Sequence, residues 1–374
     1  MLLREAVLYS SGEKVDIRIR NGKIESVEPD LSAEKTEDII ELSGATVFPG
    51  FINSHDHLDF NCYPQLGNGA YKNYTEWGHD IHAKYAEEIA AVKKTPESLR
   101  VQWGLYKNLL NGFTTVIHHG QKLYISDDLV NVFQDCHSLH SVAFEKNWKQ
   151  RLNNLFSFRK PYVIHAGEGT DERAEKEIDQ LVQSNYLRKK LVAVHGVAMK
   201  EEQAASFKGL VWCPASNYFL LGKTAAIDRL KAKTTIVLGT DSTLTADWNL
   251  KKHITDAMHS GLVTEKELVQ MLTTSPASLW GLHHKGIVAA GMDADLTILG
   301  GNKLVDSVLL LVIKQGEVVV VNEKLKQREQ VVNQKKTSRI KLGTETLQVK
   351  GDLQKLVKDI QSYYPLAHIP FELL

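Results

Sequence analysis

His55 and His57 stand one residue apart in the stretch Pro49-Gly50-Phe51-Ile52-Asn53-Ser54-His55-Asp56-His57-Leu58-Asp59. In an extended segment alternate side chains project from one face, so both imidazoles can reach one cation. Neutral imidazole is the commonest side-chain metal ligand, and the pair reads as half of a metal site. Taken alone, His-x-His equally describes two surface histidines. Other polar residues share a placement that argues against chance. His165 ends the apolar run Tyr162-Val163-Ile164, and the carboxylate of Glu168 follows three residues on. His195 ends Leu191-Val192-Ala193-Val194 in the same way, and Asp241 follows Thr235-Ile236-Val237-Leu238-Gly239 after one threonine. Singly, a strand-end histidine can be a satisfied core group and an aspartate can cap the next helix. Together they require a fold that brings distant strand ends to one place.

A parallel barrel does this, because the carboxyl ends of all its strands face one rim. Strand-like runs at Phe113-Thr114-Thr115-Val116-Ile117-His118, Ser141-Val142-Ala143-Phe144, Leu210-Val211-Trp212-Cys213 and the stretches above alternate with helical patterns. Residues 171–184 are one such helix, and the capping box Thr264-x-x-Glu267 opens another. Thr95-Pro96-Glu97 opens a third, with Thr as cap, running to Gly112. The apolar run Ala45-Thr46-Val47-Phe48 is expected to be the buried strand that carries the histidine pair. Residues 58–82 read as a long irregular loop rich in Gly, Asn and aromatics, and such loops tend to be functional. The expected fold class is α/β, a TIM-like (β/α)8 barrel. It is abridged near strand 4, because residues 145–160 are too few for a strand, helix and two loops, which need about thirty.

Both flanks have another texture. Val15-Asp16-Ile17-Arg18-Ile19-Arg20 alternates and meets the hairpin signal Asn21-Gly22, and alternation returns after Gly286. One wet face implies antiparallel strands, so the flanks are expected to form a small β-sandwich domain. The expected division is residues 1–49 for its first part, 50–284 for the barrel, 285–322 for its second part, and 323–374 for a charge-rich C-terminal extension. That extension ends in a helix with a docking face of Leu353, Leu356, Val357 and Ile360.

Composition narrows the function classes. The 374 residues carry 45 basic and 45 acidic side chains, which gives no global electrostatic case for nucleic acid or an anionic membrane. Cys62, Cys136 and Cys213 are odd in number and lack zinc-finger or redox spacing, as expected of reduced thiols in a cytoplasmic protein. The start lacks a signal-peptide apolar region, and no uncharged run has the length of a membrane span. The expected partner is a small-molecule substrate, with no nucleic acid and no membrane, and a homodimer is the assembly to consider.

The ordered motifs resemble the amidohydrolase superfamily, in its cytosine/guanine deaminase and chlorohydrolase-like branch. The stretch 49–57 is similar to the family's first-strand motif, His165-Ala166-Gly167-Glu168 to its strand-five motif, and His195 to its strand-six histidine. Cys213-Pro214-Ala215-Ser216-Asn217 and Gly239-Thr240-Asp241-Ser242 resemble its seventh and eighth strand segments. Ser275-Pro276-Ala277-Ser278-Leu279-Trp280 and Gly291-Met292-Asp293-Ala294-Asp295 are similar to its closing helix and its return to the sandwich. The resemblance implies one divalent metal ion, zinc or iron, on His55, His57, His165 and Asp241. It implies that His195 orients the attacking water, that Asp241 accepts its proton, and that Glu168 carries a proton to a ring nitrogen. Substrate contacts are expected from Trp77 and from His118 or His119. A carboxyl that protonates the nitrogen beside the attacked carbon suits hydrolytic deamination of an amino-substituted heterocycle, a purine, pyrimidine or relative, by a metal-activated hydroxide. The alternatives are hydrolysis of another C–N or C–halogen bond on the same scaffold, and a non-catalytic relative.

Overall fold

The fold is taken from a computed structural model, in which residues 1–157, 159–301, 303–325 and 337–374 are described. The amino-terminal alternation folds into β1 (Leu2–Leu8), β2 (Lys14–Arg20), β3 (Lys23–Glu28), β4 (Ile39–Glu41) and β5 (Thr46–Pro49). Parallel strands follow: β6 (Phe51–Asp56), β7 (Phe113–His118), β8 (Asn131–Phe133), β9 (His137–Ser141), β10 (Tyr162–Ala166), β11 (Leu191–His195), β12 (Gly209–Trp212) and β13 (Thr235–Leu238). Alternation then returns as β14 (Leu296–Gly300), β15 (Val308–Lys314), β16 (Glu317–Asn322), β17 (Thr337–Leu342), β18 (Glu345–Lys350) and β19 (Glu372–Leu373).

The two flanks share one eleven-stranded sheet, ordered β19-β17-β18-β16-β15-β14-β5-β1-β2-β3, with β4 paired to β1. The join is made by β14, antiparallel to β5 from Leu296↔Pro49 to Leu299↔Thr46. This corrects one expectation. The run at residues 45–48 belongs to β5 in this sheet, and the strand carrying His55 is β6. Pro49 closes β5, and having no N–H it cannot donate to a neighbouring strand. Gly50 then allows a tight crossing, since a Cβ there would lie 2.2 Å from Thr114 Oγ1. All six residues of β6 are buried, as befits a strand covered on both faces.

The parallel strands form a three-stranded sheet, β6-β7-β8, and a five-stranded one, β13-β12-β11-β10-β9. The helix Glu97–Leu110 connects β6 to β7, and Glu172–Gln183 connects β10 to β11. The third strand lies elsewhere than expected. Residues 142–144 form a turn, closed by Ser141 Oγ accepting from Phe144 N at 3.2 Å and Ser141 O from Glu145 N at 3.2 Å. The strand is β9, and the short β8 before it was not foreseen. Only residues 134–136 separate the two, whereas a parallel crossover needs about a dozen. They are therefore successive lengths of one extended run, the first paired with β7 and the second with β10. The bond from Gly120 N to Ser138 Oγ at 2.9 Å ties the second length to the end of β7 as well. Among the described residues, 145–160 contain one five-residue helix, Trp148–Leu152, and no strand.

Two local expectations also fail. The stretch at 58–82 is not irregular throughout: the helix Tyr74–Lys84 starts within it, capped by Asn73 Oδ1 accepting from Thr75 N and Glu76 N, each at 3.0 Å. Thr95 is not a cap. Pro96 takes the cap position of Glu97–Leu110 without a side-chain bond, and the Thr95 hydroxyl is buried without a partner among the described residues.

The carboxy-terminal helix Leu353–Tyr363 buries Leu353, Leu356, Val357 and Ile360, as its period predicts. They pack in one core cluster with Trp103, Tyr106 and Leu110 of Glu97–Leu110, the helix that backs β6 and β7. Strands β17 and β18, unforeseen in the charged tail, extend the large sheet beside β16. Part of that tail, residues 326–336, lies outside the described residues.

Candidate metal centre and active site

His55, His165, His195 and Asp241 each sit where a buried parallel strand ends. His55 is the penultimate residue of β6, His165 that of β10, and His195 the last of β11. Asp241 follows β13, and its N–H donates to the His55 carbonyl at 3.0 Å, tying the end of β13 to β6. Gly239 makes that approach possible, because a Cβ there would lie 2.7 Å from the His55 Cβ. His195 and Asp241 have left-handed backbones, with φ of 72° and 58°, the kind of local strain that clusters at working sites.

His165 Nε2 lies 3.4 Å from His55 Nε2 and 3.4 Å from His57 Nε2. Asp241 Oδ1 is 3.6 Å from His55 Nε2 and 3.9 Å from His57 Nε2. His165 Nδ1 donates to the His140 carbonyl at 2.8 Å, so its Nε2 carries a bare lone pair. Burial, reinforced by the neighbouring imidazoles, holds His57 and His165 well below the usual imidazole range, which keeps them neutral. Burial alone would raise Asp241, but the imidazoles facing it, His55 foremost and then His195 and His57, hold it well below the usual carboxylate range. Its Oδ2 accepts from Ser216 Oγ at 2.9 Å and Thr245 Oγ1 at 3.0 Å. This donor set fits a divalent cation. Nitrogens each about 2.0–2.1 Å from a tetrahedral zinc ion stand roughly 3.4 Å apart, and among the described residues the converging lone pairs have no other common partner.

Beside this cluster, His195 Nδ1 donates to Asn217 Oδ1 at 2.9 Å. Its Nε2 faces Glu168 Oε1 at 3.5 Å and Asp241 Oδ2 at 3.9 Å. Burial pushes the Glu168 carboxyl up to about 7, against the opposing pull of His195. Of the two adjacent histidines at the end of β7, only His119 enters the cluster, its ring stacked on His165 at 4.5 Å between centroids. His118 is held outside it: its Nε2 bonds the Gln121 carbonyl at 2.9 Å and its Nδ1 accepts from Leu58 N at 3.4 Å. Neighbouring residues at a strand end face opposite ways, so one pocket cannot take both. Trp77 lies on the helix Tyr74–Lys84, where its indole N–H donates to the Leu66 carbonyl at 2.7 Å.

Supporting residues were missed. Lys107, fully buried, places its ammonium 3.2 Å from Asp56 Oδ2, 3.2 Å from Thr240 Oγ1 and 2.5 Å from the Asp241 carbonyl. It joins the ends of β6 and β13 beneath the cluster. The available signal was a lysine on the apolar face of a helix, four residues after Trp103. Lys107→Met should lower unfolding free energy by about 3–5 kcal/mol, because buried Asp56 would lose its counter-charge and keep only the Asn61 and Asn108 amides. Urea denaturation of both proteins measures this, and a loss below about 1 kcal/mol would show the pair to be dispensable.

Residues 152–340, half of the chain, match the Amidohydrolase family. The chain belongs to the amidohydrolase family. Among relatives of this amidohydrolase, the 5-methylthioadenosine/S-adenosylhomocysteine deaminase of Thermococcus sibiricus is 23% identical over 371 residues, spanning 79% of this chain and 84% of that one. Solved structures of several hydrolases share its fold, two of them as follows. Atrazine chlorohydrolase TrzN from Arthrobacter aurescens TC1, complexed with zinc, superposes with a TM-score of 0.68 at 17% identity, over 97% of this chain and 100% of that one. 5-Methylcytosine deaminase from Klebsiella pneumoniae, liganded with 5-fluorocytosine, does so with a TM-score of 0.64 at 15% identity, over 86% and 98%. This amidohydrolase is a metal-dependent hydrolase, and among its described residues no helix is long and apolar enough to cross a membrane.

Proposed function

We propose that this amidohydrolase removes an amino group from a small heterocycle by hydrolysis, with one divalent ion, zinc or iron, held by His55, His57, His165 and Asp241. The observation that carries the reading is Glu168. It is a buried carboxyl outside the converging metal-type donors, 3.5 Å from His195 Nε2 and raised to about 7. Such a group can hold a proton near neutrality and give it up to a substrate nitrogen. An ordinary ester or amide hydrolase has less use for it.

When bound, the cation would make water nucleophilic at neutral pH and offset negative charge on the attacked centre. The chain's own groups supply the rest. Asp241 Oδ2, fixed by the Ser216 and Thr245 hydroxyls, is the base for the water proton. His195, locked by Asn217 with its Nε2 lone pair toward Asp241 and Glu168, orients the water as it adds to the carbon bearing the amino group. Glu168 protonates the adjacent ring nitrogen as that carbon becomes tetrahedral. Asp241 then passes its proton to the amino group, the carbon–nitrogen bond breaks to release ammonia, and the added hydroxyl returns a proton to Glu168 as the ring carbonyl forms.

The parallel strands are read as a closed TIM-like barrel in which the β8–β9 run occupies one position, leaving seven around the rim. Two features support closure: the Asp241-to-His55 backbone bond across β13 and β6, and the extended run that borders both β7 and β10. Residues 1–49 and 285–322 then form the second unit.

Ammonia release from a panel of aminopurines, aminopyrimidines and adenine nucleosides tests the function, with metal-replete protein. Thioether adenosines come first, because the relative from Thermococcus sibiricus carries that name. Turnover of at least one amino compound with stoichiometric ammonia is expected. Turnover confined to halogenated or alkylamino analogues, or to cyclic amides, would reassign the leaving group.

A further inference from the structure

We infer that His119 is an additional ligand of the metal, through Nδ1. The inference rests on the metal reading above and goes beyond its four-residue ligand set. His119, His55, His57 and His165 each offer a donor atom, and these atoms all lie within 4.8 Å of one another. Donors on opposite sides of one ion are themselves about 4 Å apart, so this spacing admits a shared cation.

The tautomer of His119 follows from its surroundings. Its Nε2 lies 2.9 Å from the Leu139 carbonyl, which can only accept, so Nε2 carries the ring proton. With the ring proton fixed on Nε2, Nδ1 is the nitrogen left to offer a lone pair. That atom is buried without a hydrogen-bond partner among the described residues, in a residue only 2% exposed. Buried acceptors are rarely left unpaired.

The arrangement mirrors that of His165 and His195. In His165 and His195 one nitrogen is tied to a fixed acceptor, the His140 carbonyl or Asn217 Oδ1, and the other is turned inward bare. Anchoring of this kind is how proteins set the tautomer of a ligating histidine. His119 has the same anchor with its nitrogens exchanged. Its ring is packed edge-on to His55 at 5.0 Å, and its neighbours are further acceptors, so a cation is the partner that satisfies them together. The extended β8–β9 run supplies the anchoring carbonyl, which gives that run a role in the site.

X-ray absorption of the zinc-loaded wild-type protein counts imidazole ligands without any substitution, and four are expected. His119→Gln keeps an amide donor near the Leu139 carbonyl but removes the inward nitrogen, whereas His119→Asn returns an oxygen near the Nδ1 position. His119→Gln should show three imidazoles, altered visible bands when loaded with Co²⁺, and at least about a tenfold weaker hold on zinc in chelator competition. His119→Asn should fall between that variant and wild type. Three imidazoles in wild type, or Co²⁺ bands and zinc affinity unchanged in His119→Gln, would overturn the role of His119 while leaving the metal centre standing. A folded wild-type protein that binds no metal would overturn both.

Discussion

Glu168→Gln should lower turnover by about a hundredfold to ten-thousandfold, the usual worth of a general acid–base group, while metal content stays unchanged. Glutamine preserves the shape and reach of the side chain but cannot deliver a proton. The side chain is buried against His195 and stands outside the metal-type donor groups, so the substitution leaves that cluster intact. Because the lost interaction belongs to the transition state, kcat should fall and KM should change little. Steady-state kinetics on the best amino substrate, with elemental analysis of the same preparation, measures both. Unchanged turnover with chemistry as the slow step would remove Glu168 from the mechanism and make amide or ester hydrolysis the better account.

Chelation should abolish activity, by about a thousandfold or more. A Lewis acid at the attacked centre contributes several kcal/mol to the transition state, and each 1.36 kcal/mol is a factor of ten. The same treatment should lower stability. An ion bound only by the folded chain contributes about 2.7 kcal/mol when its free concentration is a hundred times its dissociation constant. Without it, the Nε2 lone pairs of His165 and its neighbours, 3.4 Å apart, again lack a common partner. Activity and urea midpoint should therefore drop together and return together on adding zinc or iron. Full activity in a verified metal-free protein would sink the mechanism.

Much of the site was legible because its chemistry is attached to strong local signals. His165 and His195 end uninterrupted apolar runs, and such runs are read reliably as buried strands; the structure brings their side chains together with His55, His57 and Asp241. The misses have physical causes. Residues 45–48 and 51–56 form one apolar stretch, and nothing in hydrophobicity marks where the chain changes sheets except Pro49-Gly50. Strand β8 has three half-buried residues, too few to show a period. The stretch 141–144 looks like a strand, but the turn at Ser141 overrides its propensity. The helix Tyr74–Lys84 was hidden among glycines and aromatics, and only its Asn73 cap announced it. Lys107 and the pairing of His119 with Leu139 are tertiary facts. A charged or polar residue on a buried face can be noticed in a sequence, but its partner cannot be named.

Elemental analysis of the protein purified without chelator tests the central claim most directly. The four proposed ligands should retain about one equivalent of zinc or iron per chain, since burial and strand-end placement preform the site. One equivalent that is lost in a folded His55→Ala, His57→Ala protein is the result this account predicts. A folded, metal-free wild-type chain, or two equivalents per chain, would contradict it.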